Sequence, residues 1–145
     1  MSNPNIALGQ LNRLISSVTW QSFPALNVTA SFCNRGGIRL AFNGEATLIL
    51  PAMAGTVISP EPYQMVTLTI NLLKTQGLAQ QYELQRQTST PLGNGVARPD
   101  ATTLAPYQMI NMAIENVNEL SFAGEDAGYS VVCRGYILVN NSLWI

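Results

Sequence analysis

Alternation of apolar and polar residues dominates this chain and predicts a mainly β fold. Val66, Leu68 and Ile70 are separated by threonines, which is the pattern of a strand that buries one face. The run 129–139 is the strongest strand signal, because it is apolar at most positions. It predicts burial of one face against the core and of the other against the helix or another subunit. The segments with strand patterns are 12–20, 27–33, 38–42, 46–50, 65–71, 109–122 and 129–139.

Glycine-containing turns organise the first half of the predicted sheet. The sequence Asn-Arg-Gly-Gly at 34–37 predicts a hairpin that joins segments 27–33 and 38–42. The dipeptide at 43–44, Asn-Gly, predicts a second tight turn that leads into segment 46–50.

The segment 51–64 predicts the tip of a long hairpin. It is apolar, yet it holds three prolines, which argue against a continuous central strand. We therefore expect one long hairpin over about 45–71 with 51–64 as its tip or loop.

One segment changes period from two to 3.6 residues and predicts a single short α-helix over about 72–87. Four apolar residues between 72 and 82 fall on one helical face about 120° wide, and glutamines fill the polar positions. Gly77 weakens such a helix by up to ~1 kcal/mol relative to alanine, so its apolar face must dock on the sheet. The following segment, 88–106, is rich in proline and glycine and predicts an exposed loop.

The chain length predicts a single domain over 1–145, built as an antiparallel β-sandwich or barrel with one helix. Residues 1–10 form a predicted N-terminal arm, and residues 140–145 form a predicted C-terminal tail.

The surface is unusually poor in charge. Charged residues make up 10% of the chain and hydrophobic residues 47%, with no histidine and a net charge of −1, whereas ordinary soluble domains are about 25% charged. A polar but weakly charged surface suits burial against copies of the same chain. The scattered arginines exclude the clustered basic face of a nucleic-acid-binding protein.

The residue types exclude most catalytic and metal-binding chemistry. Without histidine there is no Ser-His-Asp or Cys-His system and no histidine metal ligand. Glu115 and Glu119 would share a strand face, but no nucleophile or binding motif accompanies them, so a solvated face or a pore wall is the preferred interpretation. Cys33 and Cys133 are expected as buried thiols, with a disulfide as the alternative in an oxidising compartment. We expect no enzymatic activity, cofactor or metal.

No segment predicts targeting to a membrane. The first residues lack a basic region followed by an apolar one, so no signal peptide is expected. No apolar run approaches the ~20 residues that span a bilayer.

Three stretches resemble the tail tube protein of contractile-tailed bacteriophages, a family related to the tubes of contractile injection systems. They are MVTLTINLLKTQGLAQQY at 65–82, AIENVNELSF at 113–122 and YSVVCRGY at 129–136. The strand that runs directly into NLLKTQ and a glutamine-rich helix is the most particular of them. The resemblance covers roughly residues 10–140.

The resemblance implies a structural virion protein that forms stacked hexameric rings. Its partners would be copies of itself, the tail sheath protein, the tape-measure protein, the baseplate or initiator, and the tail terminator. Double-stranded DNA would pass through the lumen without sequence-specific contacts and without membrane anchoring. The protein would be assembled in the bacterial host cytoplasm and reside in the virion tail.

The resemblance also implies which residues face the lumen and which contact neighbours. The hairpin over 45–71 would be shared between subunits, and the two termini would make ring-to-ring contacts. A lumen that passes DNA favours an acidic or neutral wall, since Lys and Arg would hold phosphates. The hypothetical lumen residues are Glu45, Glu115 and Glu119, and the hypothetical contact residues are Ile6, Leu8, Met53, Val57, Ile58, Trp144 and Ile145.

Two other functions stay open at this stage. The chain could form the tube of a secretion system or of a bacteriocin-like particle. It could also be a non-polymerising baseplate or capsid decoration module with a similar sandwich.

Overall fold

The computed structural model describes residues 8–144 as nine strands, one α-helix and three short 3-10 turns. The strands are β1 Ser17–Trp20, β2 Val28–Thr29, β3 Cys33–Asn43, β4 Thr47–Ala52, β5 Gly55–Pro60, β6 Tyr63–Leu73, β7 Pro91–Arg98, β8 Tyr107–Val117 and β9 Gly128–Leu138. The helix α1 is Gly77–Thr88, and the 3-10 turns are Pro24–Leu26, Ala30–Phe32 and Asn141–Trp144.

Seven of the strands form one antiparallel sheet that curls into a nearly closed barrel. Their order is β2-β1-β7-β8-β9-β6-β3, and β4 and β5 form a separate two-stranded ladder. The predicted fold class, mainly antiparallel β with a single helix, is confirmed.

The core lies on the concave face of the sheet. On β6, Val66, Leu68, Ile70 and Leu72 are all fully buried, as the alternation predicts. Alternate residues of β9 join them, because directly paired residues of an antiparallel ladder point to the same face. The face of β9 that carries Arg134 is partly exposed in the single chain. That this face meets the helix or another subunit stays a prediction.

The helix packs on part of this core, and a buried hydrogen-bonded contact fixes its position. Trp20 Nε1 donates to Tyr82 Oη at 3.0 Å, and Tyr82 Oη donates to the carbonyl oxygen of Leu26 at 2.6 Å. Burial raises the pKa of Tyr82, so its hydroxyl stays protonated and can donate. The contact joins α1 to β1 and to the Pro24–Leu26 turn.

The helix begins five residues later than the sequence predicts, at Gly77. Leu72 pairs with Tyr129 of β9 in the sheet, and this strand pairing continues through Leu73. Gly77 is thus the first residue of the helix. At this position glycine does not interrupt the helix interior, where it would be destabilising.

The turn predicted at 34–37 is a kink inside one long strand. β3 runs through it and pairs with β6, with an irregularity between Cys33 and Ile38. Gly37 takes a left-handed conformation with φ of 65°, and Asn71 Nδ2 donates to its carbonyl oxygen at 2.9 Å. The turn-forming residues therefore bend the strand, and the Asn71 side chain on β6 holds the bent segment of β3 beside the sheet. The predicted turn at 43–44 likewise lies between two strands that do not pair with each other.

The loop predicted over 88–106 contains strand β7, which pairs with β1 and β8. A side chain at Gly95 would come within 2.7 Å of the Trp20 ring, so glycine here makes room for a core residue. Pro91 is the first residue of the strand, a position that tolerates proline.

Candidate self-association surface

A two-stranded arm projects from the barrel. We define the arm as residues 47–60, comprising β4, β5 and the connection between them. Pairs run from Thr47 with Pro60 to Ala52 with Gly55, and the extensive contacts of β4 are with β5 alone. The predicted hairpin over about 45–71, with 51–64 as its tip or loop, is wrong in its pairing. β4 pairs with β5 inside the predicted tip, while β6 pairs with β3 and β9. Both strands of a two-stranded ladder are edge strands, where proline is tolerated.

Apolar side chains cover both faces of the arm. Ile49 pairs with Ile58 on one face, and these side chains are 60% and 66% exposed. Leu50 pairs with Val57 on the opposite face, because successive pairs point to opposite sides. Met53 at the tip is fully exposed. Together with Leu48 these side chains expose roughly 600 Å², summed over the two faces and the tip.

The open edge of the barrel is a second surface on which another chain can pair. β3 and β2 end the sheet order, so each has a free edge. Ile38, Leu40 and Phe42 on β3 point toward the core face, because their partners on β6 are core residues. A free sheet edge is a template for pairing with another chain.

A cleft of about 1230 Å³ lies beside this edge. Its apolar wall includes Leu40, Phe42 and Tyr107, and the last two rings are in contact with centroids 5.5 Å apart. Its charged lining residues are Arg13, Arg35, Arg98, Asp100 and Asp126. The cleft is therefore lined by both apolar and polar side chains, with a slight excess of positive charge.

The three predicted lumen residues lie on different parts of the fold. Glu45 is exposed in the connection between β3 and β4, and Glu119 lies beyond the end of β8. Glu115 is on β8, where its Oε2 is 3.0 Å from Arg134 Nε. The predicted sharing of one strand face by Glu115 and Glu119 is wrong, because β8 ends at Val117.

The predicted contact residues divide by location. Met53, Val57 and Ile58 lie in the arm and are exposed. Leu8 and Trp144 are also exposed, at 70% and 56%. Ile6 and Ile145 lie outside the described residues. Leu48, Ile49 and Leu50 are exposed as well. They lie in the hairpin predicted to be shared between subunits but are not among the individual residues predicted to make contacts.

A charged cluster holds the helix against β9. Glu83 accepts hydrogen bonds from Arg86, Tyr129 and Gln87, which lower its pKa to about 2. Burial and the neighbouring carboxylate raise the pKa of Tyr129 to about 12. At neutral pH the Glu83 carboxyl is therefore ionised and the Tyr129 hydroxyl is protonated, so the hydrogen bond between them connects the helix to β9.

The remaining chemistry of the described residues is sparse. Cys33 and Cys133 are both free thiols, and burial raises their pKa values. Cys133 is buried as predicted, whereas Cys33 is only partly buried. Residues 8–144 contain no group of three or more His, Cys, Asp or Glu side chains placed to hold a metal ion. In the same part of the chain, no helix combines the length and apolar character needed to cross a membrane.

Comparisons with solved structures add a structural similarity. No family model matches the chain, and no curated protein matches it. Among solved structures, the chain is similar to one in the virion of a native gene transfer agent particle. That similarity has 12% sequence identity and a TM-score of 0.47, and it covers 86% of this chain and 95% of the other.

Proposed function

We propose that this chain is a structural virion protein that assembles with copies of itself into the inner tail tube of a contractile-tailed bacteriophage. The observation that carries the proposal is the arm, which is apolar on both faces and packs mainly on itself. The sequence resemblance to tail tube proteins supplies the ring and tube architecture. Stacked hexameric rings with DNA in the lumen and a sheath outside are the assembly we propose.

The arm is energetically unfavourable in a lone chain. An isolated two-stranded hairpin is marginally stable in water. Burying its roughly 600 Å² of apolar surface would contribute up to about 15 kcal/mol before the costs of association. A standard interface covers about 800 Å² per partner, so the arm with its immediate surroundings is large enough for a stable contact.

The cleft on a second copy is the surface that we propose receives the arm. It offers apolar residues such as Leu40 and Phe42 beside a free strand edge. Glu61 lies next to the base of the arm, and its negative charge suits a cleft that is lined with three arginines and two aspartates. An arm that enters a different surface on its neighbour makes a heterologous contact, which closes into a ring or continues as a filament.

In this proposal the tube is a passive conduit. Glu45, Glu115 and Glu119 remain our candidates for the lumen wall, with Arg134 neutralised by Glu115. Such a wall has few free cations to hold DNA phosphates. The tape-measure protein would share the lumen, and the baseplate and terminator would cap the tube. Replacing a lumen glutamate by arginine should slow DNA ejection and leave tube length unchanged; normal ejection would contradict that placement.

The test is electron microscopy and sedimentation velocity of the purified protein over a concentration series. Rings or hollow tubes that grow with concentration are the expected result. Monomers throughout the series would contradict self-assembly, and rings that never stack would favour a decoration module.

A mixing experiment tests the arm-to-cleft contact directly. An Ile58→Asp chain should lose its arm contact, and a Phe42→Asp chain should lose its cleft contact, so each alone stays monomeric. Mixed together, they retain one good arm and one good cleft and should form a heterodimer that grows no further. Monomers in the mixture, beside wild-type assemblies, would refute this pairing.

A further inference from the structure

The arm is joined to the barrel by two short segments of chain. We define the neck as residues 44–46 and 61–62, the two short segments through which the chain enters and leaves the arm. Pro60 and Pro62 have no amide hydrogen, so the ladder is interrupted on this side. One backbone hydrogen bond joins the two segments, from Glu61 N to the Ala46 carbonyl oxygen at 2.9 Å. Gln64 Nε2 adds a bond from β6 to the Gly44 carbonyl oxygen at 3.2 Å.

The segment that follows β9 reaches across this neck. Asn140 Nδ2 donates to the carbonyl oxygen of Ala46 at 3.0 Å and to that of Glu61 at 2.8 Å. One side-chain amide thus contacts both neck segments with its two hydrogens. Trp144 Nε1 donates to the carbonyl oxygen of Pro62 at 2.9 Å, and Val139 N donates to the same oxygen at 3.4 Å.

The backbone at Asn140 makes this reach possible. Its φ of 50° is in the left-handed region, which asparagine tolerates better than most residues. The chain therefore turns sharply out of β9 into the Asn141–Trp144 turn, closed by Leu143 N donating to the Asn140 carbonyl oxygen at 2.9 Å. The turn places the indole and the amide on the same neck.

We propose that residues 139–144 form a strap that fixes the direction of the arm relative to the barrel, with Asn140 and Trp144 as positioning residues for assembly. The proposal rests on the proposed function, because a fixed direction matters only if the arm docks on a neighbour. A hinged arm must be ordered when it docks, and that ordering opposes binding. A strap that holds the arm in place beforehand removes this cost.

The strap is testable in the monomer, below the concentration at which assembly begins. Asn140→Asp keeps the size of the side chain and tolerates the left-handed backbone, but it replaces the two donated hydrogens with a carboxylate. The amide hydrogen of Glu61 and the indole hydrogen of Trp144 should then exchange with solvent about tenfold faster, measured by nuclear magnetic resonance.

The matched control is Asn111→Asp. Asn111 also has a left-handed backbone, with φ of 54°, and is exposed on β8, where its side chain donates no hydrogen bond within the described residues. This variant should leave both exchange rates unchanged. Equal exchange rates in Asn140→Asp and wild type would overturn the strap.

Assembly provides the second measurement. Asn140→Asp should raise the concentration needed for assembly about tenfold although every arm and cleft side chain is intact. Trp144→Phe, which keeps the ring and loses one donor, should have a smaller effect in the same direction. Faster exchange at Glu61 with unchanged assembly would overturn the positioning role. If wild type itself never assembles, the proposed function fails, while the exchange rates still decide whether the strap holds the neck.

Discussion

Replacing Ile58 by threonine tests the role of the arm with little disturbance to the single chain. Threonine keeps the branched β-carbon that suits a strand. Because Ile58 is 66% exposed, the substitution should change the free energy of unfolding of the monomer by no more than about 0.5 kcal/mol.

The magnitude in the assembly follows from the area that docking would cover. The Ile58 side chain exposes on the order of 100 Å², so its complete burial is worth about 3 kcal/mol. Threonine keeps part of that area but adds a hydroxyl that must lose water, so the variant should forfeit about 2 kcal/mol per contact. That difference corresponds to an increase of about 30-fold in the concentration at which assembly begins.

Sedimentation velocity over a dilution series measures that concentration for each protein. The matched control is Leu104→Thr, which removes a comparably exposed apolar side chain, at 53%, from the connection between β7 and β8. The control should assemble at the wild-type concentration. Equal shifts in the two variants would show that assembly responds to general surface hydrophobicity, and no shift in Ile58→Thr would refute burial of the arm.

Three further predictions concern the barrel itself, and each is measured by urea unfolding of the monomer. Tyr82→Phe leaves a buried donor and a buried acceptor unpaired and should cost about 3 kcal/mol. Tyr107→Phe at a partly buried site should cost less than about 0.5 kcal/mol, and equal losses would contradict the buried contact. Because the pKa of Glu83 is lowered to about 2, its ionised form stabilises the fold above its ordinary value of 4.5, and this stability is lost as pH falls toward 2. The advantage of wild type over Glu83→Gln should therefore shrink over that range, and a constant difference would contradict the pKa. Gly135→Ala would push a methyl group into Met112 Sδ and within 2.8 Å of a backbone oxygen, so it should destabilise the barrel strongly. The control, Gly77→Ala, meets open space and should be nearly neutral. A tolerated alanine at Gly135 would refute the close packing of β8 on β9.

Patterns that depend on one strand and its immediate neighbours were predictable from the sequence. The alternation in β6 correctly identifies Val66, Leu68 and Ile70 as core residues, because burial of one strand face produces that period directly. The presence of one helix was also predictable, since its apolar stripe docks on the sheet through Tyr82.

Features that depend on distant partners were not predictable in the same way. The glycines at 34–37 form a kink instead of a hairpin because β6 pairs along the strand and Asn71 bonds to Gly37. The sequence predicts a loop at Gly95, whereas in the structure this glycine packs against the Trp20 ring, which lies 75 residues away along the chain. The sequence pattern alone predicts a turn or loop at both sites and does not distinguish a strand kink from a close contact with a core side chain.

The arm shows why the candidate surface was only partly predictable. A strand that is apolar on both faces ordinarily indicates burial on both sides. In the single chain the opposite holds, since Ile49 and Ile58 are exposed on one face and Leu50 and Val57 on the other. The apolar pattern therefore describes an environment that the chain does not supply by itself. Because the two faces point in opposite directions, one flat contact can cover only one of them. A trough such as the cleft beside β3, which can enclose an inserted ribbon, is the kind of surface that satisfies both.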